Sequence, residues 1–226
     1  MNAPTRFDLH VHSRHSPDST ESVEAIVARA AKIGLHGLAL TDHNSVGGHA
    51  ELAALGPRWP GLLLVPGVEV STQEGHLLLY GISEAPPPHR PVGEVLRWAQ
   101  DRGAVAVIAH PFRTFHGVGR TVVERAQVSA IEVRNGHNSA RANRRAEAVR
   151  AARNLGGTGG SDAHYVGEIG RCTTELQRPV QSVDELLVEL RAGRASAVGN
   201  GPGPAEQLGL ALGTFGRRVA RGFRGI

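Results

Sequence analysis

Residues 7–12 read FDLHVH, and the fold class of the chain follows from this segment and from the pattern that it begins. Apolar and polar residues alternate here with a period of two, which is typical of a β-strand with two different faces. Residues two apart on a strand project on the same side, so we expect His10 and His12 to lie together while Val11 points into the opposite layer. The segment therefore predicts a first strand that carries two imidazoles on one face.

Short apolar segments alternate with helical patterns through the rest of the chain. After the first strand, a helix is expected to begin at Ser19 or Thr20 and to end at Gly34. Repeated βα units of this kind indicate a parallel sheet or barrel. Further strands are predicted over residues 35–41, 62–65, 68–72, 77–80, 105–109, 130–133 and 173–176, and further helices over 49–55, 92–102, 139–154 and 183–191, with a tight glycine-rich turn at 156–160.

The composition indicates a globular protein. Of the 226 residues, 40% are hydrophobic and 20% are charged, which provides for a sizeable core. No apolar run approaches the roughly 18 residues that span a bilayer. We therefore predict neither a signal peptide nor a membrane helix, and we expect a cytoplasmic location. Cys172 is the single cysteine, which excludes an intramolecular disulfide, a CxxC pair and a cysteine-based zinc finger, so a bound metal would need His and carboxylate ligands.

The basic residues do not by themselves predict a nucleic-acid-binding module. The formal net charge is +4, and arginine dominates because Lys32 is the only lysine, a skew that can equally reflect genome composition. Aromatic residues, at 4%, are too sparse for the stacking platforms of single-strand binders. We expect a barrel domain over residues 1–200 and a basic amphipathic tail over 201–226 that packs as a terminal helix. The alternative is that the tail arginines meet a membrane surface or nucleic acid: Arg217, Arg218, Arg221 and Arg224.

Histidines and carboxylates recur where the predicted strands end. Glu69 lies between two valines, where a buried charge needs an arginine or a metal ion to balance it. His110 follows an apolar strand, and parallel α/β folds place functional groups at the C-terminal ends of strands. Asp18 is either a helix N-cap or a ligand, and His76 is either a core histidine or a ligand. The same strand-end placement applies to Asp42, His43, Asp162 and His164.

Taken in order, these segments resemble the PHP (polymerase and histidinol phosphatase) family of metal-dependent phosphoesterases over residues 6–176. The matching stretches are DLHVHS, SPDS, LTDHN, PGVEVST, GHLLLYGI, AHPFR, IEVRNG and GGSDAH. The resemblance implies a distorted (β/α)7 TIM-like barrel with two or three divalent ions at the C-terminal ends of its strands. It assigns His10, His12, Glu69 and Asp162 to one ion, Glu69 with His110 and His76 to a second, and Asp18, His43 and His164 to a third.

Several residues outside these ligand sets are expected to act beside them. Asp42 and Glu69 are the candidate catalytic residues, and Asp42 is predicted to orient an imidazole, with a direct metal contact as the alternative. Glu132 and Asn135 are predicted to face the same cavity. Three arginines are candidates for binding the substrate phosphate: Arg113, Arg134 and Arg171.

The expected reaction is hydrolysis of a phosphate ester by metal-activated water, with zinc, manganese or iron as the metal. The sequence lacks GxSxG, a P-loop and HExxH, which disfavours a serine hydrolase, a nucleotide switch and a zincin. The expected substrate is a small phosphomonoester, a nucleotide or a short single-stranded oligonucleotide. Two alternatives remain: a metal barrel that hydrolyses amides, and a non-catalytic, metal-stabilised interaction module.

Overall fold

A computed structural model describes residues 5–203 and, beyond them, Glu206, Gly209, Leu210, Leu212, Gly213, Phe215, Gly216 and Val219. Within residues 5–203 a nine-stranded sheet curls into a nearly closed barrel, with six α-helices. The strands are β1 (Thr5–Val11), β2 (Gly37–Leu40), β3 (Leu63–Ser71), β4 (His76–Tyr80), β5 (Val105–Ile108), β6 (Ala130–Asn135), β7 (Gly156–Gly160), β8 (Cys172–Leu176) and β9 (Ala195–Gly199). The helices are α1 (Val23–Lys32), α2 (His49–Leu55), α3 (Val92–Asp101), α4 (Gly119–Arg125), α5 (Ala140–Arg153) and α6 (Val183–Arg191).

The strands follow the order β7-β6-β5-β4-β3-β2-β1-β8-β9. The two ends of the parallel part meet, because the Asp162 amide donates to the His10 carbonyl at 2.7 Å and the His12 amide donates to the Ala163 carbonyl at 2.9 Å. The predicted distorted TIM-like barrel is therefore confirmed. The distortion comes from β4 and β8, which run antiparallel to their neighbours. Only residues 72–75 join β3 to β4, too few for the crossover that parallel pairing needs.

Three apolar clusters attach the helices to the barrel. Val11 points away from its two flanking histidines and packs with Ile26 of α1 and Leu52 of α2, as the alternation in β1 predicts. A second cluster packs Phe7 and Tyr80 against α6. A third packs the four strands β3, β4, β5 and β6 against α3, α4 and α5. The first and third clusters cover the outside of the barrel wall, the second fills its interior on the face that Leu78 and Tyr80 share with His76, and polar side chains occupy one end.

The predicted turn at residues 156–160 is wrong: GGTGG forms strand β7. Glycine is required here because the barrel is narrow. A Cβ at Gly160 would overlap His10, and one at Gly159 would overlap the Thr173 carbonyl. Propensity disfavours strand formation by glycine, and close packing of the neighbouring strands overrides it.

The other differences are smaller. Ser22, rather than Ser19 or Thr20, caps α1 by accepting from the Ala25 amide. Ser19 instead donates to the carbonyls of His12 and His164. The extended segments at 62–65 and 68–72 form one continuous strand, β3, and the short elements α4 and β9 were not predicted.

The described positions after residue 203 are helical. The four tail arginines lie outside the described residues. Among the residues that were described, no helix combines the length and the apolar character needed to cross a membrane.

Candidate metal centre

All nine predicted metal ligands lie together at one end of the barrel, and each is at most 8% exposed. The carboxyl ends of the parallel strands meet there, which explains the position of most of them. His76 begins its strand instead of following it. Because β4 is antiparallel to β3, His76 pairs with Ser71 and reaches the same end. The set comprises His10, His12, Asp18, His43, Glu69, His76, His110, Asp162 and His164.

The Glu69 carboxylate lies at the centre of this cluster and is 1% exposed. Its Oε1 is 2.8 Å from His76 Nδ1 and 2.8 Å from His110 Nε2. Its Oε2 is 3.1 Å from His10 Nε2, 3.2 Å from His12 Nε2 and 3.2 Å from His43 Nδ1. Burial alone would raise the pKa of this carboxyl, but the surrounding imidazoles hold the pKa well below its usual range. Glu69 therefore carries a charge within reach of five rings.

Several buried polar atoms of the cluster have no hydrogen-bond partner: Nε2 of His10 and His12, Nδ1 of His43, Oε2 of Glu69 and Oδ1 of Asp162. Leaving such atoms unsatisfied costs about 1–3 kcal/mol each. Donor atoms that share a divalent ion at about 2.0–2.2 Å lie roughly 3.0–3.6 Å apart. The observed separations of His10 Nε2 from Glu69 Oε2 and Asp162 Oδ1, 3.1 and 3.4 Å, fall in that range. The unsatisfied atoms therefore fit a bound cation.

His164 supports the same conclusion at a second place. Its Nδ1 lies 2.7 Å from the Asp162 carbonyl, which can only accept, so Nδ1 carries the proton. In the neutral ring Nε2 is then an acceptor, yet it faces Asp18 Oδ2 at 3.2 Å. A divalent cation between these two atoms would take both as ligands.

In the described part of the chain, four sets of donor atoms each fit within 4.8 Å, and three of them correspond to the three predicted sites, apart from His110. His12 joins the set formed by Asp18, His43 and His164. His43 joins Glu69 and His76, whereas His110 contacts Glu69 directly through Nε2. Because His12, His43 and Glu69 each belong to two of these sets, the three sets form one continuous cluster.

Without a cation, protons balance part of the negative charge. Burial would lower the pKa of His12, but Asp162 and Glu69 raise it to about 10. His10 behaves alike, since Asp162, Glu69 and Glu132 raise its pKa well above the usual value against the effect of burial. Burial dominates at His43 and lowers its pKa to about 4. Binding of divalent ions would therefore displace protons from His10 and His12.

Glu132 holds two of the histidines in place. Its Oε1 accepts from His10 Nδ1 at 3.0 Å, and its Oε2 accepts from the His110 amide at 2.8 Å and from Asn135 Nδ2 at 2.9 Å. A carboxylate bound to the outer nitrogen of an imidazole fixes the ring and makes it a better ligand.

We expect Glu132→Gln to weaken divalent-metal affinity by about 10- to 100-fold, because an amide orients His10 less well and no longer raises its basicity. Metal titration by calorimetry would measure the change. Glu94→Gln, on the exposed face of α3, is the matched control and should bind metal as the parent does. Equal affinities for the two variants would contradict this role.

Arg113 reaches the cluster from the cavity. Its Nη2 donates to Asp162 Oδ2 and, at 2.7 Å, to Asn135 Oδ1, while its Nε donates to Asn138 Oδ1 at 3.1 Å. Burial would lower the pKa of this guanidinium, but Asp162 raises it. The side chain is still 25% exposed and lines the cavity in front of the cluster. Arg113 thus lines the cavity, whereas Asn135 and Glu132, which were predicted to face it, are buried and do not line it.

The predictions for three other residues need correction. Arg134 does not line the cavity either, because a register irregularity between Glu132 and Arg134 turns Asn135, rather than Arg134, toward Glu132. Arg171 lines a different depression and pairs with Glu206 at 2.5 Å. Asp42 accepts from the Ser13 amide at 2.6 Å and from Ser13 Oγ at 2.7 Å, so it holds the chain after β1 rather than orienting an imidazole.

Sequence reasoning missed His137 and Glu168. His137 lines the cavity, and its Nε2 lies 3.3 Å from Glu168 Oε2, which also accepts from the His164 amide at 2.9 Å. Together with His164 they form a further group of potential ligands. The only sequence signal was spacing: His137 follows Asn135 by two residues, and Glu168 follows His164 by four.

Comparisons with known proteins agree with this geometry. Residues 8–90 match the model of the PHP domain, and residues 140–195 match that of a PHP-associated region. An uncharacterized protein of Methanocaldococcus jannaschii is 30% identical over 117 residues, which cover 47% of this chain and 68% of that protein. The chain belongs to the PHP family.

Other PHP relatives carry named activities. A 3′,5′-nucleoside bisphosphate phosphatase of Chromobacterium violaceum is 42% identical over 88 residues, 36% of this chain but only 29% of the phosphatase. A solved two-domain protein from Bacteroides vulgatus, containing a predicted PHP-like metal-dependent phosphoesterase, has a TM-score of 0.73 at 20% identity, covering 95% of this chain and 70% of that one. At this identity the structural likeness shows the PHP fold alone.

Proposed function

We propose that this PHP protein hydrolyses a small phosphate ester at a centre of two or three divalent ions. The observation that carries the proposal is the buried Glu69 carboxylate, which has imidazole nitrogens on both oxygens at 2.8–3.2 Å. A structural carboxylate needs one cationic partner, whereas five rings around one carboxylate suit an anion that bridges metal ions. The nine buried side chains are the proposed ligands, and their imidazole and carboxylate chemistry suits zinc, manganese or iron.

Charge favours a phosphate ester as the substrate. Asp18, Glu69 and Asp162 supply three negative charges, against four or six positive charges from two or three divalent ions. The excess is positive in either case and attracts an anionic group. Once bound, the divalent ions would supply the Lewis acidity that activates water and stabilises phosphoryl oxygens.

The protein side chains supply position and charge. Arg113 uses Nε and Nη2 to hold Asn138, Asn135 and Asp162, and we propose that Nη1 binds a phosphate oxygen. Glu132 keeps His10 oriented, and the Asp162 carbonyl does the same for His164. No serine or cysteine nucleophile is needed in this scheme.

The proposal is tested by phosphate release from a panel of sugar phosphates, nucleotides and dinucleotides with added Mn²⁺. We expect turnover that is lost on chelation and in the His12→Ala variant, because His12 Nε2 belongs to two of the proposed sites. His36→Ala is the matched control, since His36 is an exposed histidine that contacts the Arg6 amide. Activity that survives both chelation and His12→Ala would reject the proposal, as would turnover of cyclic amides without any phosphate release.

A further inference from the structure

Three of the five phenylalanines lie around the cavity in front of the metal centre: Phe112, Phe115 and Phe215. Phe115 is 75% exposed and Phe215 is 58% exposed. Exposed phenylalanines are costly in water, and grouped ones mark binding surfaces. Only 4% of the residues are aromatic, so three phenylalanines around one cavity are a notable concentration. They favour a ligand with an apolar face.

The residues that line the cavity are of two chemical kinds. Polar side chains of the metal centre and Arg113 form one kind, and the three phenylalanines and Leu210 form the other. Its volume is about 550 Å³, within the roughly 300–1,000 Å³ of sites for small organic ligands and larger than a phosphate group requires. The matching ligand has a phosphate at one end and a planar apolar group at the other.

Two described residues earlier in the C-terminal segment contact the barrel. Gly201 packs so closely on the Asn138 carbonyl that a side chain would not fit. Farther along, Glu206 pairs with Arg171 at 2.5 Å. Asn138 itself lines the cavity, so Gly201 lies next to it, and Leu210 and Phe215 line the same cavity farther along the chain.

The three rings are not equivalent. The guanidinium of Arg145 lies over the Phe112 ring at 4.6 Å from its centroid, so that ring already has a partner. Phe115 is the most exposed of the large hydrophobic side chains that the structure describes. Phe115 is therefore the ring most available to stack on a ligand.

We propose that Phe115, together with Phe215 of the same cavity, binds the base of a nucleotide whose phosphate lies at the metal centre. The inference rests on the proposed function and narrows its substrate from phosphate esters in general to nucleotides. All nucleotide bases can stack on aromatic side chains, because each has a flat π-face. Removing the aromatic ring weakens binding by about 10-fold or more.

The test compares esters with and without a base: adenosine 5′-monophosphate and adenosine 3′-monophosphate against ribose 5-phosphate, each with Mn²⁺. For Phe115→Ala we expect the KM of the better adenosine ester to rise about 10-fold, with kcat and the KM of ribose 5-phosphate unchanged. Phe115→Trp should restore the parent KM because it restores the stacking surface. Val188→Ala, at a 53% exposed apolar residue on α6, is the matched control.

The outcomes separate this inference from the proposed function. Turnover of ribose 5-phosphate with no preference for either adenosine ester, or an equal change in all three KM values, would overturn base stacking and leave phosphoesterase activity intact. If no ester is hydrolysed, equilibrium binding of the adenosine esters and of ribose 5-phosphate to the Mn²⁺-loaded protein decides the question. Tighter binding of the adenosine esters that Phe115→Ala abolishes would support the inference. Equal binding of the adenosine esters and ribose 5-phosphate by the parent protein would overturn the inference.

Discussion

The Glu69→Gln variant is expected to lose roughly 10²- to 10³-fold or more in kcat/KM for any phosphate ester that the parent hydrolyses. Removing one charge from a buried ionic group costs about 3–5 kcal/mol, and Glu69 contacts rings from every proposed site. The glutamine side chain keeps only one oxygen that can bind a metal ion. Its NH₂ group points at imidazole nitrogens whose lone pairs would otherwise bind the metal ion. Bound metal, measured by elemental analysis after gel filtration, should fall together with activity.

Glu147→Gln, on the surface helix α5, is the control for this substitution, because its partner Arg150 is a partly exposed neighbour on the same helix. Surface pairs of this type contribute about 0–1 kcal/mol, so activity and metal content should stay at the parent level. Parent-like metal content and turnover in Glu69→Gln would show that Glu69 is a structural carboxylate. A circular dichroism spectrum of each variant would establish that it is folded.

Removing the metal is expected to lower the melting temperature by about 8–16 °C. A ligand present at 1,000 times its Kd stabilises the folded state by about 4.1 kcal/mol for one site, and in a chain of this size each kcal/mol shifts Tm by about 2–4 °C. The physical reason is the set of buried, unsatisfied ligand atoms, which a cation satisfies and water does not reach. Differential scanning calorimetry with and without chelator, at fixed protein and Mn²⁺ concentrations, measures the shift.

The Glu69→Gln variant also serves as the control for this measurement. If it binds no metal, chelator should leave its Tm unchanged, which separates loss of bound metal from direct effects of the chelator. A parent protein with the same Tm before and after complete chelation would contradict a structural contribution of the metal.

Most of the candidate site was predictable from sequence because its position follows from local geometry. Residues two apart on a strand share a face, so HxH in β1 placed His10 and His12 together before any tertiary contact was known. Parallel strands bring their carboxyl ends to one rim, which places His43, His110 and Asp162 near one another. These relations need only the period of a strand and the direction of the chain.

The residues that sequence reasoning misplaced depend on distortions of that regular geometry. A register irregularity in β6 places Asn135 beside Glu132 and keeps Arg134 out of the cavity wall. Glycines that read as a turn form β7 because His10 and the Thr173 carbonyl leave no room for a side chain. Such shifts arise where neighbouring strands contact each other, and no local pattern in β6 or β7 records them.

By itself, the sequence determined the fold class, the family resemblance and a set of nine buried polar residues, because periodicity and strand-end placement act over a few residues. Only the tertiary structure decided that five imidazoles converge on Glu69 and that Glu132 orients His10 from 122 positions away. It also decided that three scattered phenylalanines surround one cavity. Those arrangements depend on barrel closure, which brings together residues that are far apart along the chain.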